Sequence, residues 1–257
     1  MKKIWPFILM AVLTLIAVLF LKTTSAFSLQ ITAVKTVRVP VDTAAVTHLS
    51  EAITYRTVSQ GRGLPVDTAA FKSWQAFLKR TYPLVDSILT GETFSEFSLL
   101  YTWEGSNPKL RPILLLGHQD VVSVPDSALW THPPFSGTIS KGFVWGRGTL
   151  DDKTAVIQMH EAIELLLKKG YRPERTIILA FGHDEETGGE HGAKVLADIL
   201  QKRGVRAEFI LDEGMAITRD MVPMIDRPVA LIGTSEKGQM FVRMQVDMDG
   251  GHASTPS

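Results

Sequence analysis

Three short, largely apolar runs, at residues 112–116, 176–181 and 208–211, lead into imidazole or carboxyl side chains, the first of them without a polar residue. Runs of that length and purity suit strands covered on both faces. Between the first two lies 154–169, where Val156, Met159, Ile163, Leu166 and Leu167 line one side at helical spacing and Gly170 supplies a C-cap. Another helix is expected near 192–202, ending at Gly204, and a further strand at 229–232. Strands alternating with helices specify an α/β fold with a mostly parallel sheet sandwiched by helices. In such sheets ligand sites form beyond the carboxyl ends of the strands. His118 and Asp120 stand after the first run, Glu185 and Glu186 after the second, Asp212 and Glu213 after the third. Asp151 sits just before the long helix, so four candidate positions fall on one rim.

Upstream, a helix is expected over about 43–55. A second runs from an Asp67 N-cap through Phe71, Trp74, Phe77 and Leu78 and is closed by Pro83. Residues 98–103 read as a strand. The N-terminus differs in kind: Lys2 and Lys3 precede a run from Ile4 to Leu21 with no charged residue, followed by Lys22. That run suits either the core of a cleaved signal, with Thr24-Ser25-Ala26 as its small-residue site, or a single membrane anchor. The leading lysines favour an N-in orientation, which puts the remainder in a secreted or otherwise extracytoplasmic position. The expected divisions are 1–26 signal or anchor, 27–42 linker, 43–237 a first folded domain and 238–257 the start of another.

Composition limits the chemistry. Cysteine is absent, so any metal must be held by His, Asp or Glu. The 27 basic residues are balanced by 27 acidic ones, and nothing points to nucleic acid.

Within the rim, His118 and Asp120 are two apart, so in extended chain Asp120 can accept the second ring N–H of His118. Asp151 and Asp152 precede a helix, where acids are good caps. Capping accounts for one Asp but not for the Gly146-Arg147-Gly148 turn before them, and a carboxylate there can bridge two cations. Of Glu185 and Glu186, one can bind metal while the other faces substrate as a general base. Of Asp212 and Glu213, one is expected to be a metal ligand. Spacing does not choose between them, with a slight preference for Asp212. No G-x-S-x-G, H-E-x-x-H or P-loop pattern occurs.

The combination of Gly117-His118-Gln119-Asp120, Pro133-Pro134-Phe135-Ser136-Gly137, Gly146 through Lys153, Gly182-His183-Asp184-Glu185-Glu186 and Leu211-Asp212-Glu213-Gly214 resembles the M20 metallopeptidases. Within that family it looks most like the carboxypeptidase S and N-fatty-acyl-amino-acid synthase/hydrolase subgroup. The resemblance implies a zinc-exopeptidase-like catalytic domain with two Zn2+ (Co2+ or Mn2+ as alternatives). His118 would be a terminal ligand, Asp151 the bridge, and the Asp151–Asp152 peptide the family's non-proline cis bond. Glu185 would be general base, Glu186 a ligand, Asp120 the partner that orients His118, and Asp212 or Glu213 would complete one shell. Gly250-Gly251-His252-Ala253-Ser254 looks like the start of the family's α+β lid, with His252 as an oxyanion donor reaching a dimer partner's site. The implied activity is hydrolysis of C–N acyl bonds in small peptides or N-acyl amino acids, with a homodimer as the full-length form. Family members are usually longer and carry a further histidine ligand. The alternative is therefore a truncated, non-catalytic metal-binding fragment.

Overall fold

The structure is a computed structural model and describes residues 4–25, 42–61, 64–214 and 217–235, with 238, 242, 244 and 245. It divides into two units, residues 1–41 and 42–257.

The first unit holds helix α1, Trp5–Ser25. At about 1.5 Å per residue its 21 residues span about 32 Å, close to a bilayer's hydrocarbon thickness. The Thr14 and Thr23 hydroxyls donate to the carbonyls of Met10 and Leu19, both at 2.8 Å, so these polar groups are satisfied within the helix. The helix is long and apolar enough to cross a membrane.

The second unit opens with α2 (Thr43–Ile53), β1 (Val58–Ser59), α3 (Thr68–Thr81) and α4 (Pro83–Ile88). There follow β2 (Thr90–Phe94), β3 (Ser98–Trp103), β4 (Ile113–His118) and β5 (Val121–Val122). A hairpin, β6 (Thr138–Ser140) and β7 (Phe143–Trp145), precedes α5 (Lys153–Lys168) and β8 (Ile177–Gly182). Last come α6 (Ala193–Lys202), β9 (Ile210–Leu211), β10 (Ile217–Thr218) and β11 (Val229–Ala230). Asp67 caps α3 as its sequence requires, accepting the N–H groups of Ala69 and Ala70 at 3.0 Å each. Pro83 ends α3 and also opens α4, where its missing N–H costs nothing.

The central sheet has the order β2-β3-β8-β4-β9. β8, β4 and β9 are parallel, β3 is antiparallel to β8, and β2 is antiparallel to β3. Four strands therefore share a direction and β3 alone opposes them. The expected strand at 229–232 is two residues long and pairs with β10, outside this sheet.

Side chains alternate cleanly across the sheet. Leu99, Tyr101, Trp103, Leu179 and Phe181 face Trp74, Phe77, Val85, Val156 and Ile163 of α3, α4 and α5. Leu100, Leu114, Ile178 and Ala180 face Leu196 and Leu200 of α6. Each such Leu, Ile or Phe contributes about 1.5–3 kcal/mol on burial. Helices on both faces leave the ends of β4 and β8, held in register at His118 and Gly182, as the open edge.

Candidate metal centre

His118 is the last residue of β4 and is buried. Its Nδ1–H donates to the main-chain carbonyl of Asp120 at 2.9 Å, with the Asp120 carboxylate 3.3 Å away. The contact expected between Asp120 and the His118 ring is thus made first through the Asp120 backbone. Nε2 is left to face the rim, 2.9 Å from Asp151 Oδ1, 3.6 Å from Glu213 Oε2 and 3.9 Å from Glu185 Oε2.

The two aspartates before α5 divide the work. Asp152 is the N-cap, its Oδ1 accepting the Ala155 N–H at 3.3 Å, which leaves Asp151 to meet His118. The peptide between them is cis. Gly148 just before has φ +85°, and a Cβ there would lie 2.6 Å from Val121 Cγ1, so the turn requires glycine.

Glu185 and Glu186 occupy a 3-10 turn, Glu185–Thr187, beyond β8. That turn is tied down by Asp120. Its fully buried carboxylate accepts the N–H groups of Glu185 and Glu186 at 3.1 Å each and the Ser59 hydroxyl at 2.6 Å. In extended chain adjacent glutamates would diverge; on this tight turn both reach His118.

Among the described residues two groups place their donor atoms within 4.8 Å of one another: His118, Asp151 and Glu213, and His118, Glu185 and Glu186. Of the third acidic pair, the Glu213 carboxylate approaches His118, while Asp212 accepts the Glu213 N–H at 2.9 Å and lines the same cavity of about 520 Å³. His252 lies outside the described residues, as does most of 238–257.

The electrostatics are those of crowded carboxylates. Burial would lower the His118 pKa, but hydrogen bonding to Asp120 and Glu213 raises it to about 12. Burial, then Asp151, pushes Glu186 up to about 7, and burial with Glu213 nearby raises Glu185. Burial also lifts Asp152 to about 7. Asp120 runs the other way: burial opposes ionisation, but hydrogen bonds from His118, Ser59 and the Glu185 N–H bring it below the ordinary carboxylate value. Among the described residues no Lys or Arg pairs with Asp151, Glu185, Glu186 or Glu213. One imidazole and four carboxylates, accompanied among the described residues by no Lys or Arg, form a donor set that fits divalent cations of the zinc, cobalt or manganese type.

Several supporting residues carried no expectation. Gln119 is buried beside His118; Ser59 and Thr57 arrive from the β1 segment, Thr57 donating to the Gln119 carbonyl at 2.6 Å. Lys153, fully buried, donates to the carbonyls of Ala52 and Tyr55 at the end of α2. Burial draws its pKa down to about 7, and either protonation state has the N–H donors those carbonyls need. Gln119 and Lys153 lie inside the motifs that drew attention to the site, whereas Ser59 has no local signal.

Comparison with known proteins gives the chain its relatives. The profile described as Peptidase family M20/M25/M40 matches residues 114–253. The probable carboxypeptidase S-like 2 of Dictyostelium discoideum is 42% identical over 213 residues, covering 81% of this chain and 41% of that protein. The N-fatty-acyl-amino acid synthase/hydrolase PM20D1 of Homo sapiens is 43% identical over 192 residues, covering 74% and 38%. Human carnosine dipeptidase 1 superposes with a TM-score of 0.53 at 18% identity over 68% of this chain and 39% of that one, which supports the fold. The chain thus spans about two fifths of the length of these curated relatives. On the extent of the profile match, the chain belongs to Peptidase family M20/M25/M40.

Proposed function

We propose that this chain acts in metal-dependent hydrolysis of C–N acyl bonds, with small peptides cleaved at the C-terminus or N-acyl amino acids as substrates. The observation that carries this reading is the convergence of His118, Asp151, Glu185, Glu186 and Glu213 beyond the ends of three parallel strands. His118, Asp151 and Glu186, with Glu213 or Asp212, would hold the cations. When bound, two divalent ions supply Lewis acidity and draw the pKa of water toward about 7. Glu185, half-buried and with its pKa raised, takes the proton from the attacking water and delivers it to the leaving amine. Asp120 holds the turn that aims Glu185, and the His118 ring is fixed by its Nδ1–H bond. In this reading His252 donates to the oxyanion from the lid of a dimer partner. α1 is a signal or anchor that places residues from about 43 onward outside the cytoplasm.

The reading is tested with the full chain loaded with zinc, cobalt or manganese against a panel of dipeptides and N-acyl amino acids. Turnover is expected, falling about 10²–10⁴-fold in Glu185→Gln with metal content retained. Equal rates in the two proteins would refute it. The second reading is metal binding without turnover. Bound metal with no hydrolysis across the panel would select it.

A further inference from the structure

Beneath the rim, one indole connects three of the four ligand-bearing segments, the 212–213 loop being outside its contacts. Trp74 of α3 is fully buried, and its Nε1–H donates to Gln119 Oε1 at 3.1 Å. Gln119 stands between His118 and Asp120. Its Nε2 donates to the carbonyls of Phe97, Phe181 and Gly182 at 2.8, 3.0 and 3.2 Å, gripping the end of β8 from which 183–186 depart. On the face of the same indole lies Lys153 Nζ, 4.7 Å from the ring centroid, which is also bonded to the end of α2. Lys153 directly follows Asp151 and Asp152. Segments 118–120, 151–153 and 181–186 are therefore joined through Trp74 in at most two contacts each.

A ring serving only to fill space needs no such partners. Tyr55 and Phe77 already pack around it, with centroids at 6.1 and 5.5 Å. A buried N–H aimed at a buried amide carries a desolvation cost that hydrocarbon would avoid, and a network of this kind specifies one geometry when every member is satisfied. We propose that Trp74 is a positioning residue: through Gln119 and Lys153 it sets the spacing of the segments that carry His118, Asp151 and Glu186. This rests on the metal-binding reading above.

The informative variant is Trp74→Phe in the full chain, which keeps an aromatic face for Lys153 and removes the donor to Gln119. Benzothienylalanine at position 74, which replaces the N–H by sulfur at nearly constant volume, serves if Phe does not hold the fold. Three quantities are read: Co2+ affinity by chelator competition, the Co2+ d–d absorption, and hydrogen exchange of the metal-free protein. The expected result is a ten- to hundredfold weaker Co2+ affinity with a changed spectrum, the scale seen when partners of metal ligands are removed. Protection should fall together at 117–120 and 181–186. In a Gln119→Met background the same substitution should add little, because the two side chains act as one path. A lower melting temperature with unchanged affinity, spectrum and exchange would overturn the proposal, as would strictly additive effects of the two substitutions. If wild-type protein binds no Co2+ while the exchange pattern changes as described, the metal reading fails and the positioning role stands.

Discussion

Replacing Asp120 by Asn keeps the side chain's volume and removes its charge, and the cost can be worked from its contacts. Besides its contact with the His118 ring at 3.3 Å, the carboxylate accepts three hydrogen bonds in a fully buried setting: Glu185 N–H on Oδ1, and Glu186 N–H with the Ser59 hydroxyl on Oδ2. An amide has one acceptor oxygen. Whichever way it is turned, its NH2 confronts one of the two backbone N–H groups, donor against donor. The Ser59 hydroxyl can rotate to accept instead; a backbone N–H cannot. The loss is one hydrogen bond to a charged acceptor, about 1.5–3 kcal/mol, plus one orphaned buried N–H, about 1–3 kcal/mol. A total of about 2.5–6 kcal/mol is a large fraction of the about 5–15 kcal/mol that holds a typical domain. Urea unfolding of wild type and Asp120→Asn at pH 7 measures it through the midpoint at constant slope. The same change should displace Glu185 and Glu186, so metal affinity should fall with stability. A variant within about 1 kcal/mol of wild type would show that Asp120 does not hold the turn, and the account of Glu185 would fall with it.

Other predictions follow from burial and backbone geometry. His160 is buried against Tyr82, Tyr101 and Phe181, its Nδ1–H donating to the Val156 carbonyl at 2.8 Å, and burial lowers its pKa to about 4. The unfolded chain binds this proton below about pH 6.5, so the stability it lends above that value is lost as pH falls toward about 4. The loss amounts to about 3 kcal/mol. Comparing unfolding of wild type and His160→Leu at pH 7 and 4.5 isolates this term, and an equal pH dependence in both would refute it. Gly137 has φ +60°, and a Cβ would lie 2.0 Å from the Ser50 carbonyl oxygen. Gly137→Ala should therefore cost more than about 2 kcal/mol, whereas Gly170→Ala, with φ +67° but open space around it, should cost only about 1–2. Zinc at 100 times its dissociation constant should stabilise the chain by about 2.7 kcal/mol, and Asp151→Asn should abolish most of that shift in a thermal melt.

The rim was legible because strand ends and chemistry coincide in the chain: His118 closes one apolar run and Glu185 follows another. The long helix at Lys153–Lys168 and the Asp67 cap were equally plain, since both are written in local spacing. β2 was not, because Thr90–Phe94 is largely solvent-facing and has no apolar alternation to read. The direction of β3 was also hidden: a strand's composition fixes its burial and leaves its polarity to pairing. The division of labour between Asp151 and Asp152 depends on where α5 begins, to within one residue. The roles of Ser59 and Trp74 depend on partners 61 and 45 residues away, which no window of sequence contains. Glu213 stands nearer His118 than spacing could foretell, because adjacent carboxylates separate only when the loop after β9 is placed.

The central claim is most directly tested by a crystal of the full chain grown with zinc and measured on both sides of the zinc absorption edge. The account predicts anomalous density bonded to His118 Nε2 and an Asp151 oxygen, with Glu186 and Glu213 or Asp212 on its flanks. Zinc held elsewhere, with these side chains apart, would contradict it.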